Sequence, residues 1–279
     1  MKALSGSAAS LAIARLTLQR FLRSRVLLVA GAFAILPMVP YALGAGIDMS
    51  IEERWQGYIQ GMSYMHMLVA SLLMAPAIAE EIEDKTYTYL WSRPIPRWSV
   101  LAGKLLTGTC IASALLVASA LVATLVTGMP EASALAMSLL ALVLGVAAVG
   151  VVASSLGVLL PKHAIAAALT YFMVGDLIIG AIPFAAARIS VSHNVIEIAG
   201  ASEEASIPMS LIWLAIVAAF WGLVALWVLG RKELSTGSKT GDACARRCLA
   251  KQVWTKASSS PLRIEARAGQ VSRMLASKA

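Results

Sequence analysis

Residues 134–160 read ALAMSLLALVLGVAAVGVVASSLGVLL, and their reading decides the fold. The stretch holds no Asp, Glu, Lys or Arg and exceeds the roughly 20 apolar residues that carry a helix across the hydrocarbon core of a bilayer. The surplus length predicts a tilted or overhanging helix. Working outward, five further apolar runs of similar length occur at about 26–46, 62–79, 105–127, 164–185 and 208–229. Together the runs predict an all-α membrane protein with six transmembrane helices. Pro37, Pro40, Pro76 and Pro183 fall near the ends of their runs, where a lost backbone hydrogen bond is easiest to replace.

The totals agree with this reading. Over 279 residues the chain is 59% hydrophobic and 14% charged, with a mean hydropathy of +0.78, well beyond a soluble domain. Ala, Leu and Val dominate and aromatic residues are only 6%. An outer-membrane barrel would instead show short alternating segments.

The basic residues set the expected orientation. With the N-terminus inside, all of the 23 Lys and Arg except Arg54 and Arg188 fall on the cytoplasmic side, so both termini are expected there. The outer segments carry Asp48, Glu52, Glu53, Glu131, Glu197, Glu203 and Glu204. Residues 47–61, with Trp55 and Tyr58, are expected to form a short helix at the outer interface. Residues 10–25 place Leu11, Ala14, Leu18, Phe21 and Leu22 on one helical face and Arg15, Gln19, Arg20 and Arg23 on another, which predicts a surface helix before the first span. A signal peptide fits less well, because the basic region is long and the apolar run after it exceeds a signal core.

Composition divides the chain into a helical domain over 1–236 and a basic tail over 237–279, expected to be disordered or held at anionic headgroups. The scattered basic residues come with no nucleic-acid-binding module, so nucleic acid is not an expected partner. Cys244 and Cys248 are read as reduced thiols rather than a metal clip, since no second ligand pair follows. His193 and Glu197 stand at i, i+4 and would share a metal only on a helix with further ligands. No metal is expected. Within the spans, Asp176 and His66 are the candidates for a translocation path, because an ionisable group at membrane depth faces a bundle interior or an aqueous cavity. A structural hydrogen bond is the competing reading of Asp176, and a satisfied interfacial histidine that of His66.

The most informative segment is the connection between the second and third runs, residues 80–104, EEIEDKTYTYLWSRPIPRWSVLAGK. Its acidic start suits a helix N-terminus. Ile82, Thr86, Tyr89 and Leu90 share one face of a short helix, which Pro94 and Pro96 then stop. Tyr87, Tyr89 and Trp91 are placed to enter a partner's cleft. A helix that merely anchors to headgroups is the competing reading.

This segment resembles the corresponding loop of the permease subunits of ABC-2 type transporters. Glu81, Thr86, Leu90, Ser92, Arg93, Pro94, Arg97, Gly103 and Lys104 match that pattern; Lys85 stands where the family often has Gly. The resemblance covers about residues 10–235, including the basic N-terminal helix and the Arg231-Lys232-Glu233-Leu234 ending. It implies that the chain is one transmembrane subunit of an ATP-driven exporter in a bacterial plasma (inner) membrane. The loop helix would dock on a separate cytosolic ATP-binding subunit through Glu81, Thr86, Tyr89, Leu90, Arg93, Pro94, Arg97 and Lys104, and a second permease copy or a related permease would complete the path. No G-x-x-x-x-G-K-[ST] occurs, and Gly103-Lys104 runs into Leu105. ATP and magnesium are therefore expected on the partner, with no cofactor on this chain and no catalysis by it. The alternatives are a membrane scaffold or sensor that uses the same docking helix, and an intramembrane enzyme. The enzyme reading is disfavoured because the Glu pairs lie outside the apolar runs and the three histidines in separate segments.

Overall fold

The computed structural model describes residues 6–43, 48–83, 97–182, 185–200 and 206–231. Every regular element among the described residues is helical. Residues 1–228 form one compact unit and residues 229–279 a second, of which only 229–231 are described.

The chain enters through α1 (Gly6–Leu22) and turns at Ser24, whose hydroxyl accepts the Val26 N–H at 3.1 Å and caps α2 (Arg25–Ile35). Beyond Ile35 the helix tightens into a 3-10 turn at Leu36–Met38 and then α3 (Val39–Ala42), with Pro37 and Pro40 each in the first positions of its piece. The first expected span is therefore segmented, because each proline removes an N–H from the helical ladder.

α4 runs unbroken from Ile51 to Glu83. Its start is a reciprocal cap: the Ser50 N–H donates to Glu53 Oε2 at 2.8 Å and the Glu53 N–H to Ser50 Oγ at 3.2 Å. The expected separate interfacial helix over 47–61 is corrected on this point, since from Ile51 onward it forms the first turns of α4. Trp55 and Tyr58 are correspondingly buried in the bundle. The Trp55 Nε1–H donates to Ser138 Oγ at 3.3 Å, and the Tyr58 hydroxyl lies 3.4 Å from Ser119 Oγ. Both rings thus have polar partners on neighbouring helices, as buried Trp and Tyr require.

The cap carries a pH dependence. The Ser50 backbone N–H, followed by its hydroxyl, holds the Glu53 carboxyl below its usual pKa. A depressed folded value means that the contribution is full above the unfolded pKa and is lost as pH falls through the folded one. Hydrogen exchange at the first amides of α4, corrected for intrinsic rate, should rise on acidification through the carboxylate range in the wild type. Glu53→Gln should abolish that pH dependence; an identical profile in the variant would refute the role.

α5 (Arg97–Thr127) and α6 (Ala132–Leu159) follow, joined by a turn in which Gly128 takes φ +93°, a conformation glycine adopts without steric cost. After α6 a 3-10 turn (Pro161–His163) leads to α7 (Ala164–Thr170), a π-helical turn (Tyr171–Asp176) and α8 (Leu177–Ala181). The fifth expected span is thus interrupted by a wide turn that re-aims Asp176. A 3-10 segment (Ala185–Ile189), α9 (Val191–Ile198) and α10 (Ile207–Arg231) complete the described chain.

Five of the described helical stretches are long and apolar enough to cross a membrane: Arg25–Ala42, Trp98–Thr127, Ala132–Leu159, Pro161–Ala181 and Ile207–Arg231. They mark the chain as a helical membrane protein. The remaining expected run, 62–79, lies within α4, which is the hub of the bundle and packs against α2, α5, α6, α7 and α9. Close packing around it depends on small residues. At Gly157 a Cβ would lie 2.6 Å from the Ala75 carbonyl oxygen, and at Gly150 it would run into the Met74 sulfur.

Candidate functional site

Pro76 lies inside α4 and cannot donate to the helical ladder, which loosens the helix where it approaches the 80–104 connection. The chain on either side of this proline is gripped by two neighbours. Lys104, on the second turn of α5 and only 5% exposed, donates from Nζ to the Ala77 carbonyl. From the other side, the bare Cα of Gly157 on α6 admits the Ala75 carbonyl. α5 also holds α1. A Cβ at Gly103 would lie 2.6 Å from the Ser10 carbonyl oxygen, and Thr107 Oγ1 donates to the Ala14 carbonyl at 3.0 Å. The expected surface helix α1 is therefore docked along α5, with Leu11, Leu16 and Leu22 left exposed. Gly103 and Lys104 thus have distinct structural duties: the first admits α1 and the second ties α5 to α4.

Of the other residues expected in the loop, Glu81 lies in the last turn of α4 and Arg97 opens α5. Thr86, Tyr89, Leu90, Ser92, Arg93 and Pro94 lie outside the described residues, and so does the expected coupling helix from residue 84 onward; its expected acidic N-terminus is corrected, since residues 80–83 are the closing turn of α4. What is described is the framework at the two ends of that loop.

A second polar cluster surrounds Asp176. The π turn places its carboxylate, 2% exposed, at the N-terminus of α9. Oδ1 accepts the Val191 N–H at 2.7 Å. Oδ2 accepts the Ser192 N–H at 3.0 Å, the Ser190 hydroxyl at 3.0 Å and the Ser192 hydroxyl at 2.6 Å. Gly180 makes room for this arrangement, because a Cβ there would lie 2.9 Å from Ser190 Oγ. The donors compensate the desolvation of a buried carboxylate, and the helix N-terminus adds positive potential. Of the two roles open to Asp176, the geometry is that of an anchor for α9.

α9 in turn buries Val191, Val195 and Ile198 against α4 and α6. His66 lies fully inside, with its ring against Gly145, which also touches Val195. His66 and Asp176 thus both border α9, the first beside Val195 and the second at the Val191–Ser192 turn. His193 and Glu197 do share a helical face, with Nε2 and Oε1 3.1 Å apart, while the other Glu197 oxygen accepts the Ser210 hydroxyl of α10. Among the described residues no third His, Cys, Asp or Glu joins them.

Ser190, Ser192 and Gly180 were not singled out from the sequence. A signal was available: Ser190 immediately precedes apolar residues at 191, 195 and 198, the pattern of a capped amphipathic helix.

The profile of the family described as "Protein of unknown function (DUF2705)" matches residues 23–235, more than half of the chain. The chain belongs to this family. The matched region of this DUF2705 protein begins next to the Ser24 cap and contains the Asp176 cluster and the Lys104–Ala77 joint, while α1 precedes it. No curated protein matches the chain.

Proposed function

We propose that this DUF2705 protein is a transmembrane permease subunit of an ATP-driven exporter, with α4 supplying the sixth span and with both termini in the cytoplasm. The observation that carries the reading is the pattern Glu81, Thr86, Leu90, Ser92, Arg93, Pro94, Arg97, Gly103 and Lys104 in the connection from α4 to α5. Support comes from the framework at its ends. A helix docked on a moving ATPase does work on the membrane domain only if both ends of its loop are firmly joined to the bundle. Lys104 ties the outgoing helix to the incoming one, Gly157 seats the incoming helix on α6, and Gly103 seats α1 on the outgoing helix. A push on the loop would therefore reach α1, α4, α5 and α6 together.

On this reading the ATPase, with its ATP and magnesium, is a separate cytosolic subunit, and a second permease copy or a related permease closes the path. The plasma membrane of a bacterium is the expected location. Cysteine placed at Tyr89 or Leu90 should crosslink to a nucleotide-binding protein in native membranes, and Arg93→Ala should lower substrate-stimulated ATP hydrolysis at normal membrane abundance. Capture of no nucleotide-binding protein, with exposed control cysteines reacting normally, would sink the proposal.

A further inference from the structure

A cavity of about 290 Å³ lies where α1, the start of α2, Pro76 of α4 and Lys104 of α5 meet. Its polar wall consists of Arg20, Lys104, Thr17 and Ser24. Ser24 is the cap residue of α2, so the amino end of an 11-residue helix also borders the space. Arg20 and Lys104 both have partners within the chain. A guanidinium with five donors and an ammonium with three can serve a protein group and a phosphate oxygen together. The site therefore has an electropositive part, and the positive end of a helix dipole reinforces it.

The rest of the lining is apolar: Leu16, Phe21, Val26, Pro76 and Ala77. Leu16 and Val26 are exposed, and so are Leu22, Leu28 and Val29 on the same two helices, α1 and α2. The volume is at the lower end of the range for ligand pockets. It suits a headgroup whose chains continue outside along the exposed leucines. A soluble anion would gain nothing from that apolar border, whereas an anionic amphiphile uses both halves. The position at the end of the bundle where α4 approaches the loop is also the level of the headgroups for spans of this length.

We propose that this cavity binds the phosphate headgroup of an anionic glycerophospholipid, with Arg20 and Lys104 facing the phosphate and the acyl chains lying against Leu16, Leu22 and Leu28. The bound lipid would brace α1 against the α4–α5 junction. The inference does not rest on the transporter reading, since binding is read without any ATPase.

The test uses the full chain in nanodiscs of mixed phosphatidylglycerol and phosphatidylcholine, with retained lipid counted by native mass spectrometry after mild delipidation. Phosphatidylglycerol should be retained in preference to phosphatidylcholine, and Arg20→Gln should reduce that preference by about fivefold, the effect of one cation near a headgroup. If Arg20→Gln fails to fold, Leu16→Trp, which narrows the mouth and leaves the cations in place, should lower retention of the lipid instead. Equal retention of the two lipids by the wild type would overturn the proposal without recourse to any variant. Displacement of the retained lipid by millimolar inorganic phosphate would overturn it in favour of a soluble-anion site.

Discussion

Asp176→Ala should destabilise the protein by about 3 kcal/mol, the largest loss expected from any single polar deletion in the described bundle. The estimate follows from the donors that the change would strand. The Val191 and Ser192 amides are buried with the carboxylate as acceptor, and an unsatisfied buried donor costs about 1–3 kcal/mol. The Ser190 and Ser192 hydroxyls are partly insured, because they lie 2.9 Å from each other and can rotate into a mutual bond. Asp176→Asn should cost about half as much, since it keeps one acceptor oxygen but presents an amide group to the remaining donors. In a fluorescence-detected thermal melt of detergent-solubilised protein, the alanine variant should unfold about 5–10 °C lower. Hydrogen exchange should also rise at Val191 and Ser192 before it rises elsewhere. If Asp176→Ala melts with the wild type while transport is lost, the carboxylate belongs to the path and its anchoring role is refuted.

How much of this was legible beforehand depended on what kind of force set each feature. Residues 134–160 and 208–229 are apolar over their whole length, so bilayer matching alone placed α6 and α10 within a residue or two. The 26–46 and 164–185 runs are equally apolar, yet the structure segments them. Pro37 and Pro40 were visible causes in the first run. In the second, the π turn ends at Asp176, which bonds the start of α9, a tertiary partner whose position no local pattern specifies. Trp55 and Tyr58 misled for a related reason: an aromatic pair near an expected interface looks like a headgroup anchor, and only the hydroxyls of Ser138 and Ser119, far away in sequence, make it a buried pair. Asp176 was expected to be interior, and it is buried, because burial of an ionisable group in an apolar run needs no knowledge of its partner; His66, for which an interfacial position was the competing reading, is instead fully buried. Which role each group plays depends on that partner.

The close crossing of α4 and α6 around Ala75 leads to a second large effect, best seen as a contrast between two glycines of the same helix. Replacing a helical glycine with alanine gains about 1 kcal/mol in helix propensity, so the sign of the net change depends on what the new methyl group meets. At Gly157 it would meet the backbone oxygen of Ala75 at 2.6 Å, and a helix backbone cannot yield locally. The two helices would have to separate, which places the cost at the upper end of the about 1–3 kcal/mol range for overpacking. At Gly150 the methyl would meet the sulfur and terminal carbon of Met74, the part of a side chain with three rotatable bonds that repacks most readily. Gly157→Ala should therefore lower the melting temperature clearly, while Gly150→Ala should stay much nearer the wild type. Because Ala75 adjoins Pro76 and Ala77, the separation at Gly157 should also draw the Ala77 carbonyl from Lys104 and weaken the joint that would carry motion from the loop. A paired measurement of melting temperature and partner-dependent ATP hydrolysis checks both steps. A Gly150→Ala variant less stable than Gly157→Ala would show that the crossing is governed by the Met74 side chain and not by the backbone contact at Ala75.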